Sequence, residues 1–455
     1  MGVYEIESGL SQIQKEPELK PKRLYVTVTQ KFWLSHVFAI LWLLFSIYIS
    51  LPWFEDLANV VTPIGAGFII IGIAYIPGYM NSFLVMSLLL DKQPVIKEEN
   101  PVDSVTLLIA AYNEGSSIFN VLEYIARQDY EGNLHIIVID NASTDETVME
   151  VERAKQELGL QITILYEAKQ GKFNALNSGL EQVQTDFVMT LDADTLLMPS
   201  SVRHLVARMK SSPKDVCAVA GSMLVRNSRE SIWTRVQEWD YFLGIASIKR
   251  LQGLYQGTLV AQGAFSLYKT ECVREVNGWP DAIGEDIVLT WRLLHHKWKV
   301  YFEPLAIAFT DAPTSFKHLA RQRSRWARGM IEGLKEIKPW KQPQVYTKYL
   351  TAINFMMPYL DVVYTLCWIP GLALAMFGIY WIVGPLTLLV LPLTCISFGL
   401  LYWYQKKHVF EPLHLNVRKN KRGLLFFILF YQMFMAPVSV WGYLQEVFQL
   451  RRKWK

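Results

Sequence analysis

Two hydrophobic patterns alternate along the chain. Residues 33–53 (FWLSHVFAILWLLFSIYISLP) and 60–90 are apolar stretches with no Lys, Arg, Asp or Glu. At about 1.5 Å per residue, roughly 20 such residues cross a hydrocarbon core of about 30 Å, so each stretch predicts a membrane span. Gly72, Pro77 and Gly78 in the second are tolerated in membrane helices. The first stretch is too long for the apolar part of a signal peptide, shows no small-residue cleavage site and is followed by a second span. From about Pro101 to Pro339 charges return, and short apolar runs alternate with polar helical stretches, the texture of one α/β domain. Hydrophobicity resumes at 362–383, at 385–404 after a turn at Gly384-Pro385, and at 424–446. Residues 345–360 suit an interfacial segment or the start of a longer tilted helix.

Within the polar region, 105–111, 134–139, 161–166 and 186–191 read as buried parallel strands, separated by helices at 117–128, 144–158 and 172–183. Ligands of open α/β sheets bind outside the carboxyl ends of the strands. Polar residues stand at each of those ends: Asn113/Glu114, Asp140/Asp145, Lys169/Lys172 and Asp192/Asp194. One such end is an ordinary turn; four on one edge predict a site.

Composition narrows the chemistry. Lys+Arg of 45 against Asp+Glu of 41 gives a net charge of +4, which offers no reason to expect nucleic acid as a partner. The 4 cysteines make no framework and no Cys/His cluster, so neither disulfides nor zinc is expected. No G-x-G-x-x-G follows the first strand and no G-x-x-x-x-G-K-[ST] occurs, which leaves any phosphates to a metal and side chains. Asp192-Ala193-Asp194 suits that task. Carboxylates one residue apart at a strand end can point the same way, and a hard cation bridges carboxylate oxygen to phosphate. Glu285-Asp286 opens a helical stretch, where acids also serve as caps. Residues Thr314–Lys338 put Phe316, Leu319, Trp326, Met330 and Leu334 on roughly one helical face, with Lys317, Arg321, Arg323, Arg328 and Lys335 interspersed, as in a helix lying on a membrane surface.

The blocks AAYNE (110–114), VIDNASTDET (138–147), KQGKFNALN (169–177), LDADTLL (191–197), QGAFSLY (262–268), IGEDIVLTWRL (283–293) and QRSRW (322–326) occur in this order. With the flanking spans, they resemble the family 2 membrane glycosyltransferases. Within that family they look most like bacterial poly-β-1,6-N-acetylglucosamine synthases, with cellulose, hyaluronan and chitin synthases as close relatives. The resemblance implies an α/β GT-A nucleotide-sugar-binding domain inserted between transmembrane helices, with amphipathic interface helices. It implies that Tyr112, Glu114 and Asp140 contact the uridine of a UDP-sugar donor and that Lys172 faces the nucleotide. Asp192 would lie near ribose and diphosphate, with Asp194 and Asp192 at a Mg2+ or Mn2+ ion. Asp286 would be the general base. Gln322, Arg325 and Trp326 would form the Q-x-x-R-W motif at the diphosphate and the growing glycan acceptor, with Gly263 beside the acceptor.

The resemblance also implies inversion, a β-linked product and passage of the polymer across the bilayer. The alternatives are a cellulose-, hyaluronan- or chitin-type synthase, a single-transfer lipid glycosyltransferase, and, from another class, a non-catalytic export or scaffold subunit. Q-x-x-R-W and the C-terminal spans favour polymerisation; intact Asp192, Asp194, Asp286 and Arg325 oppose decay.

The expected layout is a tail (1–32), two transmembrane helices (33–95), the GT-A domain (96–310), interface helices with Q-x-x-R-W (311–345), and about three transmembrane helices with a basic tail (346–455). Lys15, Lys20, Lys22, Arg23 and Lys31 against Glu55 and Asp56 put the N-terminal tail and the catalytic domain on the cytoplasmic side of the inner (plasma) membrane. A fifth single span would leave Arg451–Lys455 outside, against that rule; a re-entrant 424–446 around Pro437, or a different span count, would relieve the conflict. The short stretch after the last span leaves no room for a nucleotide-sensing domain, so regulation would need a small membrane partner subunit.

Overall fold

The computed structural model describes residues 26–92, 94–384, 390–416 and 419–450. They divide into two compact units, one gathering the chain up to Lys92 with Gly371–Lys421, the other the remainder. In the first unit, α1 (Val28–Val61) starts at a capping box in which Thr27 and Gln30 satisfy each other's backbone N–H groups. Pro63 then opens α2 (Pro63–Leu89), which runs through a π-helical stretch at Ile71–Tyr75.

The second unit is built on an eight-stranded mixed sheet. Its strands are β1 (Val105–Ala111), β2 (Leu134–Asp140), β3 (Ile162–Tyr166), β4 (Phe187–Asp192), β5 (Leu196–Leu197), β6 (Val216–Val225), β7 (Phe265–Lys269) and β8 (Lys299–Thr310), in spatial order β3-β2-β1-β4-β7-β6-β8-β5. The first four in that order are parallel, and β7 is inserted antiparallel to both β4 and β6. Strands covered on both faces read as continuous apolar runs, which is why Val105–Ile109 are all buried. The intervening helices are α3 (Ile118–Ala126), α4 (Thr147–Leu158), α5 (Lys172–Glu181) and α6 (Ser201–Ser211). Helix α3 buries Ile118, Val121, Leu122 and Ile125, the spacing of one helical face, against the sheet.

Helix α7 runs through Ile232–Trp239, a π-helical stretch Asp240–Ile245, and Ala246–Leu254. Then come α8 (Glu285–His295) and the 21-residue α9 (Phe316–Glu336), started by Ser315 accepting from the His318 N–H. Helices α10 (Val345–Met376) and α12 (Lys421–Val447) flank α11 (Val390–Gln405) in sequence. Among the described residues, four helices, α1, α2, α10 and α12, are long and apolar enough to cross a membrane.

These spans differ in detail from the sequence reading. The third takes the longer-helix reading of 345–360, starting at Val345, and ends at Met376, where Gly378 at φ +80° turns the chain out of the helix. The expected span 385–404 begins outside the described residues, and its described part, α11, has 16 residues. Helix α12 passes straight through Pro437, so the chain does not reverse there. The tail Arg451–Lys455, like Lys15, Lys20, Lys22 and Arg23, lies outside the described residues. Asp361 is held between two of the apolar helices, its carboxylate accepting from Tyr443 Oη (2.8 Å) and Gln432 Nε2 (3.3 Å) of α12.

Candidate active site

The register of the parallel strands builds one side of the site. Ala111 of β1 lies opposite Asp140 of β2, and Ala110 lies opposite Asp192 of β4. The backbones of the two residues therefore flank the end of β1, roughly 10 Å apart at two strand spacings. The turn after β1 holds half-buried Tyr112 and takes Asn113 to φ +55°. The Asn113 N–H donates to Ser143 Oγ (3.0 Å), its Oδ1 accepts from the Thr144 N–H (2.8 Å), and the Ser143 N–H donates to Asp140 Oδ1 (3.2 Å). Two loops thus lock together around buried Asp140. Glu114 is fixed by its N–H on Thr147 Oγ1 (2.8 Å) and by Ser117 Oγ on its carboxylate (2.8 Å).

The centre of the site is an ionic cluster. Lys172, first residue of α5, places Nζ 2.5 Å from Asp192 Oδ1 and 3.6 Å from Glu285 Oε1. Gly263 sits against the same ammonium, since a Cβ there would lie 2.9 Å from Lys172 Nζ and 3.4 Å from Glu285 Oε1. The Gly263 N–H donates to Asp286 Oδ2 (3.2 Å), while Asp286 Oδ1 accepts its own helix's Ile287 N–H (2.8 Å). Lys172, Asp192, Gly263, Glu285 and Asp286 therefore meet at one place.

Burial alone would lower the Lys172 ammonium, but Asp192 and Glu285 outweigh it and hold it above its ordinary range. Burial pushes Glu285 up to about 7, with Lys172 opposing and Asp286 adding to the rise. Asp194 is exposed as a whole residue, yet its carboxyl sits deep enough to be pushed up to about 6 by desolvation, with Asp192 and Glu114 adding and Lys172 opposing. A carboxyl crowded by like charge is a place where a cation is favoured.

The other side of the site is brought up by close backbone packing. A Cβ on Gly284 would lie 2.7 Å from Gly329 Cα, so only glycines let α9 approach the turn that starts α8. Glu332 of α9 reinforces the contact by accepting the Ile283 and Gly284 N–H groups at 2.8 and 3.0 Å. The Q-x-x-R-W helix is thereby docked beside Asp286. On it, Gln322 Oε1 is buried without a hydrogen-bond partner among the described residues, Arg325 is exposed, and Trp326 is 38% exposed.

Sequence reasoning passed over three residues. Asn141 holds the loop leading to Lys172, donating to the Glu167 and Lys169 carbonyls (3.0 and 2.9 Å) and accepting from the Gly171 N–H (2.7 Å); its place between Asp140 and Ala142 in the strand-end block was the available signal. Glu332 gave none, being one acid on an amphipathic helix. Lys249 donates to the Val260 carbonyl (3.2 Å), and burial pushes its amine down to about 7, with Asp286 opposing. A cavity of about 770 Å³ lined by Asp103, His135, Lys155 and Asp186 opens at the opposite edge of β1–β4 and contains none of the cluster.

The sequence profile described as "Glycosyltransferase like family 2" matches residues 101–329. The poly-β-1,6-N-acetyl-D-glucosamine synthase of Staphylococcus aureus (strain COL) is 35% identical over 246 residues, 54% of this chain and 58% of that protein. Its counterpart in Staphylococcus epidermidis is 31% identical over 290 residues, 63% of this chain and 69% of that protein. The chain thus matches little more than half the length of the first of these relatives. A mannosyltransferase from Pyrobaculum calidifontis, solved in complex with GDP-Man and Mn2+, shares the fold with a TM-score of 0.59 at 17% identity, covering 88% of this chain and 100% of that one. With a family match over half its length, seated on the domain that carries the ionic cluster, the chain belongs to the family 2 glycosyltransferases and has their GT-A fold.

Proposed function

We propose that the chain is a processive inverting glycosyltransferase that builds a β-linked polysaccharide from a UDP-sugar, with UDP-N-acetylglucosamine as donor. The observation that carries this reading is the meeting of Lys172, Asp192, Gly263 and Glu285-Asp286, from four separate sequence blocks, at the strand ends. The relatives named as poly-β-1,6-N-acetyl-D-glucosamine synthases support the choice of sugar.

Asp140 accepts the uracil N–H, and Tyr112 and Glu114 line the uridine. Asp194 and Asp192 would hold Mg2+ or Mn2+. The residues fit a hard cation: they offer oxygen only, and Asp194 is crowded by the negative charge of Asp192 and Glu114. When bound, such an ion supplies positive charge to the leaving diphosphate. Lys172 and Arg325 add theirs from the protein.

Asp286, oriented by the Gly263 N–H, takes the proton of the acceptor hydroxyl as its oxygen bonds to the anomeric carbon and the bond to UDP breaks. A single base, with no carboxylate nucleophile, inverts the α-linked donor to a β-linked product. Gln322 Oε1 accepts from the acceptor, and the Trp326 indole offers it a flat apolar face. The apolar helices would anchor the catalytic unit at the cytoplasmic face of the plasma membrane and pass the polymer across the bilayer.

The test is a screen of radiolabelled UDP-sugars with the full chain in lipid vesicles, followed by linkage-specific glycosidase digestion. The expected result is a β-linked N-acetylglucosamine polymer enclosed in the vesicle lumen. A single sugar on a lipid would favour the lipid glycosyltransferase. Absence of UDP release with and without Mn2+ would favour the non-catalytic subunit, and polymer left only on the donor side would remove translocation.

A further inference from the structure

Among the inward-facing residues of helix α9 that Q-x-x-R-W does not use is Arg323. The Arg323 side chain is 10% exposed, and its Nη2 donates to Asp240 Oδ2 at 2.7 Å. The same oxygen accepts from Tyr431 Oη at 2.8 Å. Three elements thus meet at one carboxylate oxygen: the π-helical stretch of α7, the motif helix α9, and the apolar helix α12. Widened turns of this kind are frequent at functional sites.

The guanidinium also does something that charge neutralisation alone does not require. It lies 4.1 Å from the Trp326 ring centroid and 5.7 Å from that of Tyr241. One face of the indole is therefore covered by a cation that cannot swing, because its other side is pinned by Asp240. The part of Trp326 left exposed is then presented in a fixed attitude.

We propose that Asp240, Arg323 and Tyr431 form a positioning network that fixes the Trp326 indole as the acceptor platform and couples its attitude to helix α12. The network governs how long a glycan end stays bound between additions, not how fast one sugar is transferred. This rests on the polymerase reading above, in which Trp326 stacks on the acceptor.

A buried ion pair by itself is weak grounds for a role, since such pairs often contribute little net stability. The test must therefore separate positioning from folding. The full chain in lipid nanodiscs is given UDP-N-acetylglucosamine and Mn2+, and both UDP release and product length are measured for wild type, Arg323→Lys, Tyr431→Phe and the double variant. Lysine keeps the charge toward Asp240 but loses the planar stack; phenylalanine removes one hydroxyl. The expected result is UDP release within about twofold of wild type, product shortened about fivefold by Arg323→Lys and about twofold by Tyr431→Phe, and a double variant no shorter than Arg323→Lys alone, because both act through one oxygen of Asp240.

Product of wild-type length in both single variants overturns the network. So does a proportional fall of UDP release and length together, which marks simple damage to the fold. So does an additive double variant. A wild-type chain that releases no UDP overturns the transferase reading instead, and the network's role with it.

Discussion

The two ends of the cleft are built on different terms. The end proposed for the donor is made of strand termini, with Lys172 already paired to Asp192 and Asp140 already held by the Ser143 N–H. The end proposed for the acceptor is one helix, docked through the Gly284–Gly329 contact, with Trp326 left exposed. A donor is the same molecule at every turn, so a preorganised pocket costs nothing in versatility. On the polymerase reading proposed above, a growing glycan presents a new end after each addition, and an open platform with a fixed ring suits it.

The largest effect that would sharpen this contrast is expected from Asp194→Asn. Removing the carboxylate that crowding keeps ready for a cation should lower UDP release by roughly 10³-fold in a radiolabel assay, in the range of losing an electrostatic stabiliser of the transition state. Next comes Arg325→Ala, with turnover down about 10²-fold and UDP binding by calorimetry weakened with it, because the guanidinium is assigned to the leaving diphosphate. If Arg325→Ala leaves UDP binding at the wild-type level, that assignment is wrong.

Lys172→Met should raise the donor KM by about tenfold, because Asp192 and Glu285 then face each other without the ammonium between them. A smaller effect concerns pH. The Asp194 carboxyl is raised to about 6, so the folded protein favours its protonated form. Stability from that proton is present below the ordinary carboxylate range and lost as pH rises through about 6. The metal-free unfolding midpoint should therefore fall over that interval. Mn2+ affinity should rise about tenfold from pH 5 to pH 7, because the ion must displace the proton; Asp194→Asn should flatten both curves. The smallest effect is expected at Gly263→Ala, where the new methyl meets the movable end of Lys172 and should reduce turnover only a few-fold.

The donor end was readable from the chain because parallel strands buried on both faces leave a simple trace: an apolar run, then polar residues where the strand emerges. Val105–Ala111 followed by Tyr112–Glu114, and Phe187–Asp192 with Asp194, follow that rule. Two strands of the other half of the sheet were not readable in this way. Strand β7 has five residues between antiparallel neighbours, and β8 contains Glu303 and Pro304, so neither shows an uninterrupted apolar run. At the acceptor end, the motif residues were legible but their support was not. Gly329, Glu332 and Asp240 matter through partners 45 or more positions away in the sequence, and local pattern carries no record of such pairings. The apolar helices were found as hydrophobic stretches, while the start of α10 at Val345 was obscured by Lys348 and the polar first turns of the helix.

The most direct measurement is UDP release from UDP-N-acetylglucosamine by wild-type and Asp286→Asn chains in matched vesicles with Mn2+, alongside UDP binding by each. If Asp286 draws the proton from the acceptor while the strand ends hold the donor, the variant should lose about 10³-fold in UDP release and bind UDP as tightly as wild type. Wild-type turnover in Asp286→Asn, or loss of UDP binding in step with turnover, would contradict the account.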